Sequence, residues 1–299
     1  MDGTRPTLLG TLKAYIYLLP ALLVLGTFSI YPLFRSLFMA FTTVHRRTLE
    51  VEEVGLHNFR FLMDDPRFAL ALRNTFTFVL GVVPVAILIS LGIAVLLNQK
   101  IRGATFFRSI FFLPFVTSTI AIAMVWNWIF HERHGLLNYF LGFVGVDPRP
   151  WIDHPDHAMT ALIIMSIWSR LGFNIIILLA GMQTIDKQLY LAAKVDGASA
   201  WHRFKTVTVP LLSPSIFFLT VMGVIGSFRV FGEIYALFPG GATAGPANSA
   251  LTVVYYVFQR FWDDRNFGLA TAAALVLFVI ILCFTLLQFW VGKKLVHYK

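Results

Sequence analysis

Six stretches of 21 to 25 residues run through this chain with almost no charge in them, and no other feature restricts its fold so severely. Residues 14–34, 75–97, 109–130, 206–228 and 267–291 contain no Asp, Glu, Lys or Arg, and 158–182 contains only Arg170. A helix rises ~1.5 Å per residue, so ~20 apolar residues cross a hydrocarbon core of ~30 Å. The runs are continuous and apolar all round, unlike the ~10-residue alternating segments of a membrane β-barrel. A soluble fold has no interior for them: 58% of the 299 residues are hydrophobic and 13% charged, against ~45–50% and ~25% in soluble domains. The chain is therefore expected to be an all-α integral membrane protein with six spanning helices.

The charges orient it. Six spans put both termini on one side, with segments 1–13, 98–108, 183–205 and 292–299 between or beyond them. Those segments hold 12 of the 24 basic residues and all eight lysines, but only Asp2, Asp186 and Asp196 among the acids. Their charge of +9 equals that of the whole chain, the opposite side carrying −2 and Arg170 and Arg229 lying at membrane depth. This positive-inside pattern makes both termini cytoplasmic, and it accounts for the basicity without nucleic acid. The other side receives 35–74, which includes a short amphipathic helix at His57–Leu62, then 131–157, proline-rich and read as irregular, and 238–266. The fifth span is taken to run on from 206 to 237. Arg5 and Lys13 precede the first span as in a signal peptide, but its apolar length exceeds an h-region of ~7–15 residues, so a retained anchor is expected. Cys283, the single cysteine, lies in an apolar run and reads as a small buried hydrophobe.

Catalytic and nucleotide-binding motifs are missing. Gly292-Lys293-Lys294 is the one Gly-Lys dipeptide and lacks the rest of a P-loop, and neither H-E-x-x-H nor G-x-S-x-G occurs. No Asp, Glu or His lies inside the six apolar runs, whereas a proton- or sodium-coupled carrier is expected to place such groups in mid-membrane. A machine driven by a partner is favoured over an ion-gradient-driven carrier or a channel with no ATPase.

The segment from Gln183 to Pro214 carries the most information. Asp186 can cap a short helix, Gly197 stands where a left-handed residue would end it, and Ser199 can cap a second helix through Trp201 and Phe204. Ala192 and Ala193 leave one side of the first helix small enough for another protein to approach closely. The same segment could equally be a plain connector between spans.

Ala192-Ala193, Gly197, then Val207, Val209 and Pro210 resemble the E-A-A, G, I-x-L-P signature of permease subunits of binding-protein-dependent ATP-binding-cassette importers. The surroundings resemble the carbohydrate-uptake branch, in particular the first permease of the glycerol-3-phosphate, lactose and multiple-sugar systems. The supporting stretches are Asn58-Phe59, Asp65-Pro66-Arg67-Phe68, Arg73-Asn74-Thr75, Leu97-Asn98-Gln99-Lys100, Phe111-Phe112-Leu113-Pro114, Gly135-Leu136-Leu137-Asn138, Gly172-Phe173-Asn174 and Leu179-Ala180-Gly181-Met182-Gln183. The resemblance implies a type I importer bundle whose cytoplasmic coupling helix docks an ATPase. Tyr190, Leu191, Ala192, Ala193, Asp196, Gly197, Ala198 and Pro210 are its coupling residues. It also implies a second homologous permease subunit, two ATPase copies, an extracytoplasmic solute-binding protein and a carbohydrate substrate, in the inner membrane of a prokaryote. No cofactor is expected on this chain, ATP and Mg²⁺ belonging to the ATPase. Leu191 stands at the signature's glutamate and Asp186 at a frequent proline, which puts the glutamate's own contact in doubt.

The charges at depth are the remaining candidates. An arginine there costs at least ~2.5–3.5 kcal/mol unless it faces a cavity or a partner. Arg170 therefore either lines a substrate path or makes a packing contact, with Asn174 as its expected neighbour. Arg229 and Glu233, four residues apart, read as an ion pair within one helix. The resemblance instead places the segment with Phe228, Phe231, Gly240 and Gly241, and with it Arg229 and Glu233, near the substrate path, for which Phe173 and Asn174 are further candidates. Trp168 could stack on a sugar ring, while Trp126 and Trp128 read first as interfacial anchors. His131, His134, His154 and His157 form two spaced pairs, read as solvated rather than as a metal site.

Overall fold

The computed structural model describes residues 8–44, 51–99, 103–238 and 243–296. Its helices in chain order are α1 (Leu8–Leu25), α2 (Tyr31–Ala40), α3 (His57–Asp64), α4 (Pro66–Leu97), α5 (Ala104–Val116), α6 (Thr119–Ile129), α7 (Leu136–Gly142), α8 (Pro155–Gln183), α9 (Lys187–Val195), α10 (Ala200–Arg203), α11 (Val209–Phe228), α12 (Gly232–Leu237), α13 (Val253–Phe258) and α14 (Phe267–Leu295). Five helical rods are long and apolar enough to cross a membrane, and α5 with α6 makes a sixth, bent span. A two-stranded antiparallel ribbon, β1 (Thr42–Val44) and β2 (Val51–Val54), is the one sheet among the described residues.

The centre of the bundle is α4 lying along α8, with α11 packed against both. Small residues bring these rods together, as expected where lipid offers no hydrophobic drive to helix association. Gly81 rests on Ile163, Gly181 on Leu212 and Ser215, and Gly223 on Val83. The tightest approach is Gly172, where a Cβ would collide with the Phe111 carbonyl, so α5 lies directly on the α8 backbone. Phe76, Phe228 and Phe284 close the centre, their rings 5.5 to 5.8 Å apart.

Four expectations about the spans need correction. The first rod is longer than 14–34: α1 and α2 are joined by a π-helical turn, Gly26–Ile30, into one helical run that is mostly exposed. The third span is not straight. Pro114 removes one backbone donor from α5, and the Thr117 hydroxyl donates to the Leu113 carbonyl at 2.7 Å in its last turn. Thr117 and Ser118 are extended, and α6 leaves at 104°. The fifth span stops at Phe228: Arg229 and Val230 close a 3₁₀-like turn, and the Val230 carbonyl accepts from the Thr252 hydroxyl at 3.2 Å. Cys283 is exposed on α14 rather than buried.

The connections are more ordered than their composition suggests. Segment 131–157 is not irregular throughout, because α7 stands in its middle. Asn138 holds it by donating to the carbonyls of Glu132 and Arg149, both at 2.8 Å, and accepting from the Trp151 indole at 2.8 Å. Segment 243–263 dives into the bundle, so that Leu251, Tyr255 and Tyr256 are fully buried. The Val253 amide donates to the Thr75 hydroxyl at 3.0 Å. Asp65, which caps α4 through the Arg67 amide, accepts from the Tyr256 hydroxyl and from Arg260, each at 2.7 Å. Arg67 reaches the Gln259 side chain at 2.7 Å.

Candidate functional site

Two polar constellations occupy the bundle, one at the end where α8 finishes and one part-way along its length. At the end, Asp186 caps α9 by accepting from the Gln188 amide at 2.9 Å. Gly197, at φ +75°, closes the helix: its own amide reaches the Lys194 carbonyl at 3.1 Å and the Ala198 amide reaches Ala193 at 2.9 Å. Those two bonds form a Schellman closure, which satisfies carbonyls the helix end would leave bare. Ser199 then caps α10 through the His202 amide at 3.2 Å. The helix, glycine turn and second helix read from the sequence are thus present.

The turn is braced to the spans. Arg203 donates to the Ala198 carbonyl at 2.6 Å, and the Tyr190 and Thr208 hydroxyls are 3.0 Å apart. Thr208 ends a π-helical turn, Phe204–Thr208, that passes without interruption into α11, with Pro210 in the first turn. Leu191, Ala192, Val195 and Trp201 are exposed. Ala193, Asp196, Gly197 and Ala198 line an open groove with Ser199, His202 and Thr206. An exposed apolar rim around a backbone-lined groove suits a protein partner better than water.

Part-way along the bundle, Arg170 of α8 donates to the Ser227 hydroxyl at 2.7 Å and lies 3.8 Å from the Glu233 carboxylate of α12. Its guanidinium also sits over the Phe78 ring, 5.9 Å from the centroid. Two sequence expectations fail here. Asn174 is buried on α8 but is not the partner of Arg170. Arg229 and Glu233 do not pair within a helix, because the chain leaves helical geometry at Arg229–Phe231. Arg229 projects as an exposed side chain at this break. Phe228 is buried against Phe76, and Phe173 stacks on Phe115 at 5.0 Å. Gly240 and Gly241 lie outside the described residues. Ser227 and Thr208 were missed. No local spacing points to them, since their partners lie 57 and 18 residues away.

Trp126 packs inward against Trp168, 5.7 Å between ring centroids, whereas Trp128 faces outward. The His131–His134 and His154–His157 rings touch in pairs, and among the described residues no three His, Cys, Asp or Glu side chains are grouped to hold a metal ion.

Residues 67–297 match the profile of the family described as binding-protein-dependent transport system inner membrane component. The chain belongs to this family. It is thus a multi-pass membrane permease component, and its curated relatives are transport permeases rather than enzymes. The lactose transport system permease protein of Rhizobium radiobacter is 34% identical over 94% of each chain. The sn-glycerol-3-phosphate transport system permease protein of Pectobacterium atrosepticum is 27% identical over the full length of both. The fold is that of a chain in the crystal structure of a bacterial alginate importer, with a TM-score of 0.80, 24% identity and 96% of each chain covered.

Proposed function

We propose that this permease is one half of the translocation path of an ATP-driven importer for a carbohydrate: a sugar, an oligosaccharide or a polyol phosphate. The relatives named for lactose and for sn-glycerol-3-phosphate support that substrate class. The family's dependence on a binding protein supports an extracytoplasmic solute-binding protein as the donor of substrate. A second homologous permease would complete the path, and two ATPase subunits would bind ATP and Mg²⁺. The termini and the α9–α10 turn face the cytoplasm in this reading, because all eight lysines lie in the segments assigned there.

One observation carries the mechanism: the α9–α10 turn touches and runs on into α11, whose far end reaches the polar cluster at depth. A push on α9 is delivered through Tyr190 and Thr208 and the π-helical turn into α11, whose far end holds Ser227 against Arg170. Shifting α11 along its axis would therefore disturb the Arg170–Glu233 pair and the break at Arg229. Arg170, Asn174, Arg229 and Glu233 offer donors and an acceptor to substrate hydroxyls or a phosphate, with Phe173 and Phe228 beside the path.

Docking is tested by replacing Gly197 with Pro and Ala193 with Leu. Both should lower co-purification of the ATPase and vanadate-sensitive uptake into vesicles; intact assembly and uptake in both variants would remove the docking role. Differential stabilisation of the purified transporter by a panel of sugars and glycerol phosphates identifies the substrate, and stabilisation by none of them would refute the class.

A further inference from the structure

We propose that α7 is a membrane-interface anchor, a short helix whose outer face lies in the headgroup–acyl boundary of the bilayer at the end of the bundle opposite α9. α8 sets the ends apart: α7 precedes its first residue and α9 follows its last. The α7 sequence, Leu-Leu-Asn-Tyr-Phe-Leu-Gly, contains no charge. Its single polar side chain besides the tyrosine, Asn138, points inward and is consumed by bonds to Glu132, Arg149 and Trp151. What remains outside is aromatic: Tyr139, Phe140 and Phe143 are 63%, 62% and 71% exposed, followed by Val144 at 74%. The rings meet edge to face, Tyr139 lying 5.8 Å from Phe140 and 5.0 Å from Phe143, so they form one patch.

The occupant follows from what surrounds the patch. Met124, Val125 and Trp128 of α6, the second half of the bent α5–α6 pair, are exposed immediately before it, so the apolar face of α7 follows an apolar exposed face of a helix pair apolar enough to enter the membrane. Charged residues flank α7 on both sides, Glu132 and Arg133 before it and Asp147 and Arg149 after it, and they mark where the chain returns to water. A tyrosine among phenylalanines between such flanks suits the interface, where the phenol meets headgroups and the rings stay apolar. A binding protein that arrives and leaves in each cycle would expose this patch to water between visits, whereas lipid covers it continuously. Asn138 makes the anchor rigid: through Trp151 and Arg149 it ties the depth of α7 to the start of α8.

The experiment uses the complete transporter in lipid nanodiscs, with cysteine-free partners and Cys283→Ser in this chain. A nitroxide is attached at Phe140→Cys, at Phe143→Cys or, as the water-facing control, at His154→Cys. Collision rates are measured with oxygen, which concentrates in lipid, and with a water-soluble nickel chelate. Expected are oxygen-dominated collisions at 140 and 143, at a depth of about 5–10 Å, and chelate-dominated collisions at 154. Chelate-dominated collisions at 140 and 143 would overturn the proposal, and so would exclusion of both reagents, which would show a protein covering the face. The unmodified transporter provides a second readout: an apolar diazirine dissolved in the bilayer should label the peptide 139–144, and its absence from that peptide would overturn the proposal equally.

Discussion

Arg170 is the most expensive residue in the bundle, and its surroundings explain how it is tolerated. Its hydrogen bond to Ser227 is short, whereas the 3.8 Å approach to Glu233 leaves both side chains partly exposed, at 23% and 28%. Glu233→Gln should therefore cost only about 1–3 kcal/mol. The double variant Arg170→Ala/Glu233→Ala should be less destabilised than the sum of the singles, by about 0.5–3 kcal/mol, in denaturant unfolding of the purified protein. Asp65 poses a different problem outside the spans. Burial alone would raise its pKa, but hydrogen bonds from Tyr256, the Arg67 amide and Arg260 outweigh that and hold it below the ordinary 3.8. A carboxylate with a depressed pKa adds stability that is complete above the unfolded value and is lost as pH falls through the folded one. The contribution of Asp65 to thermal stability should accordingly be complete and independent of pH near neutrality and be lost below about pH 4, and Asp65→Asn should abolish that slope. The same variant should cost about 1–3 kcal/mol at pH 7, since Arg260 keeps Asp264 at 2.7 Å. The bonds from Arg170 to Ser227 and from Tyr256 and Arg260 to Asp65 were not legible from spacing, since their partners lie 57, 191 and 195 residues apart. The i, i+4 rule pointed from Arg229 to Glu233, but it holds only inside an unbroken helix, and this one ends between them.

Elements divide according to whether their stop signals are local. The α9–α10 turn could be read in advance, because Asp186, Gly197 and Ser199 each satisfy backbone groups within three or four residues of themselves. Gly197→Ala should strain that turn by about 1–2 kcal/mol at φ +75°, loosening hydrogen-exchange protection of α9 while the spans stay protected. The break at Thr117 could not be read in advance, since the run 109–130 remains apolar across it, and the apolar run that ends at 228 did not show where the helix itself ends. The end at Phe228 is fixed by Thr252, whose hydroxyl donates to the Val230 carbonyl from 22 residues further on. Gly172 is legible only in hindsight. Its absent side chain admits the Phe111 backbone, so Gly172→Leu should separate α5 from α8 and prevent assembly of a monodisperse protein, whereas Gly92→Leu, with open space around it, should not.

For the whole molecule, the distribution of charge makes a prediction that no packing detail alters. With Cys283→Ser, a cysteine at Lys187 should react with an impermeant maleimide only from the cytoplasmic side, and one at His154 only from the opposite side. Labelling of both from one side would overturn the orientation. By itself the sequence determined the solvent of this protein, the number of its apolar runs and the caps of its α9–α10 turn. Those follow from hydration cost and from hydrogen bonds that close within a turn of helix. Only the tertiary structure decided that the third run bends, that the fifth ends part-way along the bundle, that segment 243–263 enters it, and that Arg170 meets Ser227 and Glu233. Inside a low-dielectric bundle a polar group is costly without a partner, and which one it finds depends on residues brought together from distant parts of the chain.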